Sequence, residues 1–164
     1  MKYFLFLVTC ICSFFIQGQS DYILLDLDSS KGEYSKVAMQ IWEYAEMGYQ
    51  EEKSSALLQN KLNEAGFTIQ AGVAGIPTAF IAEYNNGGPV IAILGEYDAL
   101  PGLSQKALPY KLTNEGRGGH ACGHHLFGTA SAAAAISLKK YIKKYKVKGT
   151  IRYYGCPAEE GGSG

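Results

Sequence analysis

The chain has 164 residues, 47% of them hydrophobic and 18% charged, with 15 basic against 15 acidic side chains. That length suits a single domain. So even a charge balance gives nothing to draw the chain onto nucleic acid or an anionic membrane surface.

The N-terminus reads as a secretory signal peptide over residues 1–18. Lys2 is followed by an apolar run of 14 residues, Tyr3 to Ile16, and then by Gln17-Gly18-Gln19-Ser20. A run of that length falls short of the ~20 residues that span a bilayer, and charge, apolar stretch and small polar exit are in signal-peptide order. The expectation is export, periplasmic or secreted, with cleavage near Gly18 and no membrane association afterwards. Removing Lys2 leaves 14 basic and 15 acidic residues.

From Ser35 to Ala65 the pattern is helical. Val37, Ile41, Tyr44 and Ala45 recur at three-to-four spacing, as do Leu57, Leu58, Leu62 and Ala65. Gly48 should divide this stretch in two. Gly66 is placed to cap the second helix, and Phe67-Thr68-Ile69 opens a strand. Two β-rich runs follow, Thr78–Tyr84 and Val90–Leu94, joined by Asn85-Asn86-Gly87-Gly88, a hairpin signal. The second run is apolar without alternation, the mark expected of a central strand covered on both faces.

It ends in Gly95-Glu96-Tyr97-Asp98, a loop with two carboxylates, and residues 101–119 read as a long polar loop. Leu126 to Tyr145 predicts a helix with its lysines at the C-terminal end and Gly149 as its cap. Thr150-Ile151-Arg152-Tyr153-Tyr154 is a further strand running into Cys156-Pro157-Ala158-Glu159-Glu160. The order α-β-β-β-α-β predicts an α/β domain with a mixed sheet flanked by helices, covering residues 19–164 without an inner boundary.

All three histidines of the chain, His120, His124 and His125, lie within six residues around Cys122. In extended chain, residues two apart point to one side, so Cys122 and His124 would offer a thiolate and an imidazole to one metal site. His120 and His125 flank that pair as candidates to hydrogen-bond a ligand from behind. A Cys122–Cys156 disulfide is the structural alternative in an oxidising compartment.

Glu159 and Glu160 are adjacent carboxylates at a strand end, where they repel unless a cation neutralises them. Neighbouring side chains diverge, so one can hold a metal while the other faces the water that the metal acidifies. A solvated acidic turn is the bland reading. Asp98 can orient a metal-binding imidazole by accepting its other N–H, and Glu96 shares its face; a cap or surface loop is the alternative. A Cys122 nucleophile with His124 as base, or a metal-binding module without catalysis, are the competing functions.

These residues resemble the metal-dependent amidohydrolases of the aminoacylase and hippurate-hydrolase kind. The text that carries the resemblance is Gly95-Glu96-Tyr97-Asp98-Ala99-Leu100-Pro101-Gly102, Gly119-His120-Ala121-Cys122-Gly123-His124, Leu126-Phe127-Gly128-Thr129-Ala130-Ser131 and Pro157-Ala158-Glu159-Glu160-Gly161-Gly162. Glu46-Met47-Gly48-Tyr49-Gln50-Glu51 is similar to the family's N-terminal signature. The resemblance implies part of a zinc-peptidase-like catalytic domain holding two divalent ions, zinc or manganese. Cys122 would bridge them, His124 and Glu160 would each bind one, Glu159 would be the general base, and Asp98 would orient a ligand. His125 departs from the acidic or amide residue more usual in that family. The implied substrates are small molecules in which an acyl or aryl group is amide-linked to an amino acid, such as N-acyl amino acids or p-aminobenzoyl-glutamate. The resemblance also implies further ligands and a smaller dimerisation domain beyond Gly164, making the sequence the N-terminal portion of a longer, homodimeric protein and leaving it inactive on its own.

Overall fold

The computed structural model describes residues 2–116 and 118–161, with residues 2–20 given by their backbone alone. Helix α1 spans Lys2–Tyr44 and α2 spans Glu52–Glu64, so the break expected around Gly48 is present. α1 begins well before Ser35. Leu24 and Leu25 are 63% and 70% exposed, so the apolar residues there form no single stripe from which a helix could be read. The signal-peptide reading of residues 1–18 concerns side chains outside the described residues. Among the described residues no helix is long and apolar enough to cross a membrane.

The turn between the helices makes its own cap. The Glu46 carboxylate accepts the backbone N–H groups of Lys53 and Ser54, at 3.0 and 2.8 Å, and the Ser54 hydroxyl at 2.7 Å. It thereby satisfies donors that the first turn of α2 leaves open. At the other end Gly66, at φ 81°, follows the last helical turn and its N–H returns to the Asn63 carbonyl, the left-handed exit that glycine makes without strain.

Strands β1 (Thr68–Ala71), β2 (Phe80–Tyr84), β3 (Val90–Glu96) and β6 (Thr150–Cys156) form one sheet in the order β1-β2-β6-β3; β4 (Leu100–Pro101) and β5 (Gly118–Gly119) make a separate two-stranded ladder. β6 is antiparallel to β2 and parallel to β3. The sheet is therefore mixed, as expected, but the hairpin is not formed. Gly87 and Gly88 do turn the chain with φ of 69° and 73°, and Asn85 Oδ1 accepts the Gly87 N–H. Yet the turn carries β3 across the end of β6, where the Thr150 N–H meets the Pro89 carbonyl at 2.9 Å. β6 then occupies the place between β2 and β3. An Asn-Gly turn fixes a reversal of direction, not the identity of the neighbour.

Helix α3 spans His124–Tyr145 and links β3 to β6. It starts two residues earlier than the sequence indicates and ends on Lys146, in the left-handed conformation at φ 54°, rather than on Gly149. One core joins all three helices to one face of the sheet: Val37 and Ile41, Leu58 and Leu62, and Ala132, Ala135 and Ile136 pack over Phe80, Ala82, Ile151 and Tyr153. Arg152, on the opposite face, pairs with Glu83. β3 is an edge strand among the described residues, with Val90 and Leu94 52% and 54% exposed, so its reading as a covered central strand does not hold here. Absence of alternation reports two apolar faces; it does not report a strand's position in the sheet.

Close approach at three glycines aligns the elements that end at one edge. Gly95 and Gly155 face each other across β3 and β6, where side chains would collide with the rings of Tyr153 and Phe80. Gly128 brings α3 against the Glu96 carbonyl, leaving no room for a Cβ. The N-terminus of α3 is thus pinned directly over the C-terminal ends of β3 and β6.

Candidate metal centre

Two parallel strands ending together, with a helix beginning above them, is where an α/β fold gathers chemistry. Glu96 is the last residue of β3 and lies in register with Cys156, the last of β6. Asp98 sits two residues past β3, Glu159 and Glu160 form a short 3₁₀ turn (Glu159–Gly161) just past β6, and His124 opens α3. The extended Cys122-Gly123-His124 unit expected from sequence is instead a bend. Gly123 takes φ 97°, and this left-handed residue turns Cys122 and the first helical residue toward each other.

His124 is the hub. Its ring is buried, with Nδ1 2.8 Å from Asp98 Oδ1 and Nε2 3.0 Å from Glu96 Oε2. Glu159 Oε2 and Glu160 Oε1 stand 3.7 and 3.9 Å from the same Nε2. Asp98, 1% exposed, also accepts the Glu160 backbone N–H on Oδ2 at 2.9 Å. One buried carboxylate therefore orients both the imidazole and the acidic turn. With Nδ1 facing Asp98, Nε2 is the ring nitrogen directed at the other carboxylates.

Ligand atoms of Cys122, His124 and Glu160 lie within 4.8 Å of one another, and so do those of Glu96, His124 and Glu159. The sequence singles out Cys122, His124, Asp98, Glu159 and Glu160, and the structure brings these five side chains near one another. It gives Glu96 too little weight, although its two-residue spacing from Asp98 was the available signal. His120 and His125 are placed differently from expectation. His120 Nε2 lies 3.1 Å from the Ile41 carbonyl, and the two rings pack together with centroids 4.9 Å apart. Among the described residues, neither ring hydrogen-bonds Cys122, His124 or Glu160. Cys122 and Cys156 are both free thiols, which excludes the alternative disulfide.

The electrostatics suit a cation. Four carboxylates surround one imidazole. Burial pushes the Glu96 carboxyl up, and Glu159, Asp98 and Glu160 add to this against the opposing pull of His124. The Cys122 thiol is likewise held up, by desolvation first and then by Glu160. Buried Glu160 Oε1 has no hydrogen-bond partner. A thiol, an imidazole and carboxylate oxygens, one of them unpartnered, are the donor set that divalent zinc or manganese takes, so the residues fit such an ion. The N-terminus of α3 contributes its positive end to the same anionic cluster.

Comparison with known proteins agrees with this geometry. Residues 92–164 match the model of the peptidase family M20/M25/M40. The chain is 48% identical over 151 residues to a p-aminobenzoyl-glutamate hydrolase polypeptide of Escherichia coli, covering 89% of this chain and 31% of that protein. It is 33% identical to the hippurate hydrolase of Campylobacter jejuni, covering 84% of this chain and 34% of the relative. Among solved structures, a dinuclear metal-binding peptidase of the M20 family from Bacillus subtilis superposes with a TM-score of 0.65 at 29% identity, covering 81% of this chain and 36% of that one. The chain spans about a third of the length of the relatives it matches.

Proposed function

We propose, for a chain whose residues 92–164 carry the sequence of peptidase family M20/M25/M40, that the longer protein hydrolyses an amide linking an acyl or aryl group to an amino acid. p-Aminobenzoyl-glutamate and N-acyl amino acids such as hippurate are the substrate class, suggested by the names of the two relatives. The observation that carries this reading is the meeting of Cys122, His124, Glu160, Glu96 and Glu159 around one buried imidazole.

Cys122, His124 and Glu160 would hold two divalent cations, zinc or manganese, with Glu96 beside them. When bound, such ions acidify water and polarise the scissile carbonyl. Asp98 fixes the His124 tautomer by taking its Nδ1–H, so that Nε2 stays available. Glu159, half exposed at 49%, would take a proton from the attacking water and return it to the departing amine. Residues 1–18 would direct export, and the full-length protein would form a homodimer.

A Cys122 nucleophile is disfavoured. Nucleophilic cysteines are held below the ordinary thiol range, whereas this one is held above it by desolvation and its acidic neighbours. His124 is engaged by Asp98 and Glu96 rather than by the sulfur.

The test is an assay of the full-length protein on p-aminobenzoyl-glutamate, hippurate and other N-acyl amino acids, before and after chelation. Hydrolysis that disappears on chelation and returns with added zinc or manganese is expected. Hydrolysis indifferent to chelation, or its absence in the metal-loaded protein, would refute the proposal.

A further inference from the structure

The turn from Glu46 to Glu51 has no ligand or catalytic part in the mechanism above, yet it touches both loops of the site. The Ala99 N–H donates to the Glu46 carbonyl at 2.8 Å, and Met47 bridges to Ala99 in parallel fashion. This holds the strand-end loop immediately after Asp98. Gly48 lies against Ala158, to which an added Cβ would come within 3.0 Å. Glu51 is completely buried, 0% exposed. Its Oε1 accepts the Ala158 N–H at 2.8 Å, across 107 residues of chain, and its Oε2 accepts the Thr78 hydroxyl at 3.1 Å.

Ala158 is the residue that needs holding. It is itself buried and takes φ 57°, the left-handed conformation that side chains other than glycine adopt only when their surroundings over-determine it. Glu159 and Glu160 depart from the very next positions. Asp98 holds the far end of the turn through the Glu160 N–H, and Glu51 holds the near end. A buried carboxyl group is an unfavourable choice for a purely structural filler. Here both of its oxygens are used, and burial pushes the group toward the neutral form.

We propose that Glu51 is a positioning residue for hydrolysis: by holding the Ala158 N–H it fixes the left-handed turn that aims Glu159 at the water and Glu160 at the metal. This rests on the assignment of Glu159 as general base, and the experiment separates the two. In the full-length protein, Glu51→Ala removes the acceptor. Glu51→Gln keeps an oxygen for Ala158 and turns its amide toward the Thr78 hydroxyl.

Glu51→Ala should lower kcat by about 10²-fold with KM nearly unchanged, the scale of effect that an ångström of misplacement produces. Glu51→Gln should restore most of that loss. Amide exchange at Ala158, followed by NMR or mass spectrometry, should lose its protection in Glu51→Ala and keep it in Glu51→Gln. If Glu51→Ala does not fold, Glu51→Asp, which shortens the reach by one methylene, should show the same fall in kcat at constant KM.

A folded Glu51→Ala with undiminished kcat, a loss confined to KM, or a Glu51→Gln as impaired as Glu51→Ala would overturn the proposal. Ala158 protection that ignores Glu51 would do so as well, with or without hydrolysis. If Ala158 responds to Glu51 as described while Glu159→Gln stays fully active, the error lies in the general-base assignment and not in the hold on the turn.

Discussion

Glu159→Gln in the full-length protein is expected to reduce kcat by about 10²- to 10⁴-fold, the range spanned by a well-placed general base, while its content of divalent metal stays unchanged. The amide is isosteric with the carboxylate but cannot take a proton at neutral pH. Glu159 is the more exposed of the two acidic neighbours, 49% against 21% for Glu160. It is free to face water. Glu160, by contrast, is tied to Asp98 through its backbone and has a buried oxygen without a partner. Substituting Glu160→Gln should therefore release metal as well as activity, and the contrast between the two variants identifies which carboxylate is base and which is ligand. Steady-state kinetics beside metal analysis of each variant makes the check. Loss of metal in Glu159→Gln with retention in Glu160→Gln would reverse the two roles.

Asp98→Ala should weaken metal binding by about 10- to 100-fold, as losing a partner behind a metal-binding histidine does. The side chain is buried and makes two bonds at once, to His124 Nδ1 and to the Glu160 N–H. Removing it leaves two buried donors unpaired, a cost of roughly 1–3 kcal/mol each, and frees the imidazole to turn. Asp98→Asn should fall between Ala and wild type, since its oxygen can still take Nδ1–H while its amide opposes the Glu160 N–H. Competition against a chromophoric chelator measures the effect. Equal affinity in wild type and Asp98→Ala would remove Asp98 from the site.

The parts of this site that the sequence makes legible are those whose chemistry is written locally. Cys122 with three histidines in six residues, two adjacent glutamates at a strand end, and an Asp in a post-strand loop each announce a function without knowledge of their partners. The strands and helices that carry them were legible from periodicity in the same way. What escaped depends on contacts across the chain. Glu51 falls within the Glu46–Glu51 stretch that resembles the family's signature, but its part does not show there, because its partners are Thr78, 27 residues away, and the backbone of Ala158, 107 residues away. Glu96 gains its place only once β3 and β6 lie parallel with their ends in register. The Asn85–Gly88 turn misled for the complementary reason: its local chemistry is correct, but strand pairing is decided by β6, which enters the sheet more than 60 residues later. His120 and His125 stand beside the ligands in sequence, yet His120, just ahead of α3, turns to the Ile41 carbonyl and the His125 ring packs against it.

Metal analysis of the purified full-length protein, reduced and equilibrated with zinc or manganese and then freed of excess ion, puts the whole account at stake. Two ions per chain are predicted for the wild type, falling below one in Cys122→Ala, because the proposal gives Cys122 a part in holding both. A wild-type protein that retains neither ion, or a Cys122→Ala protein that retains both, would contradict it.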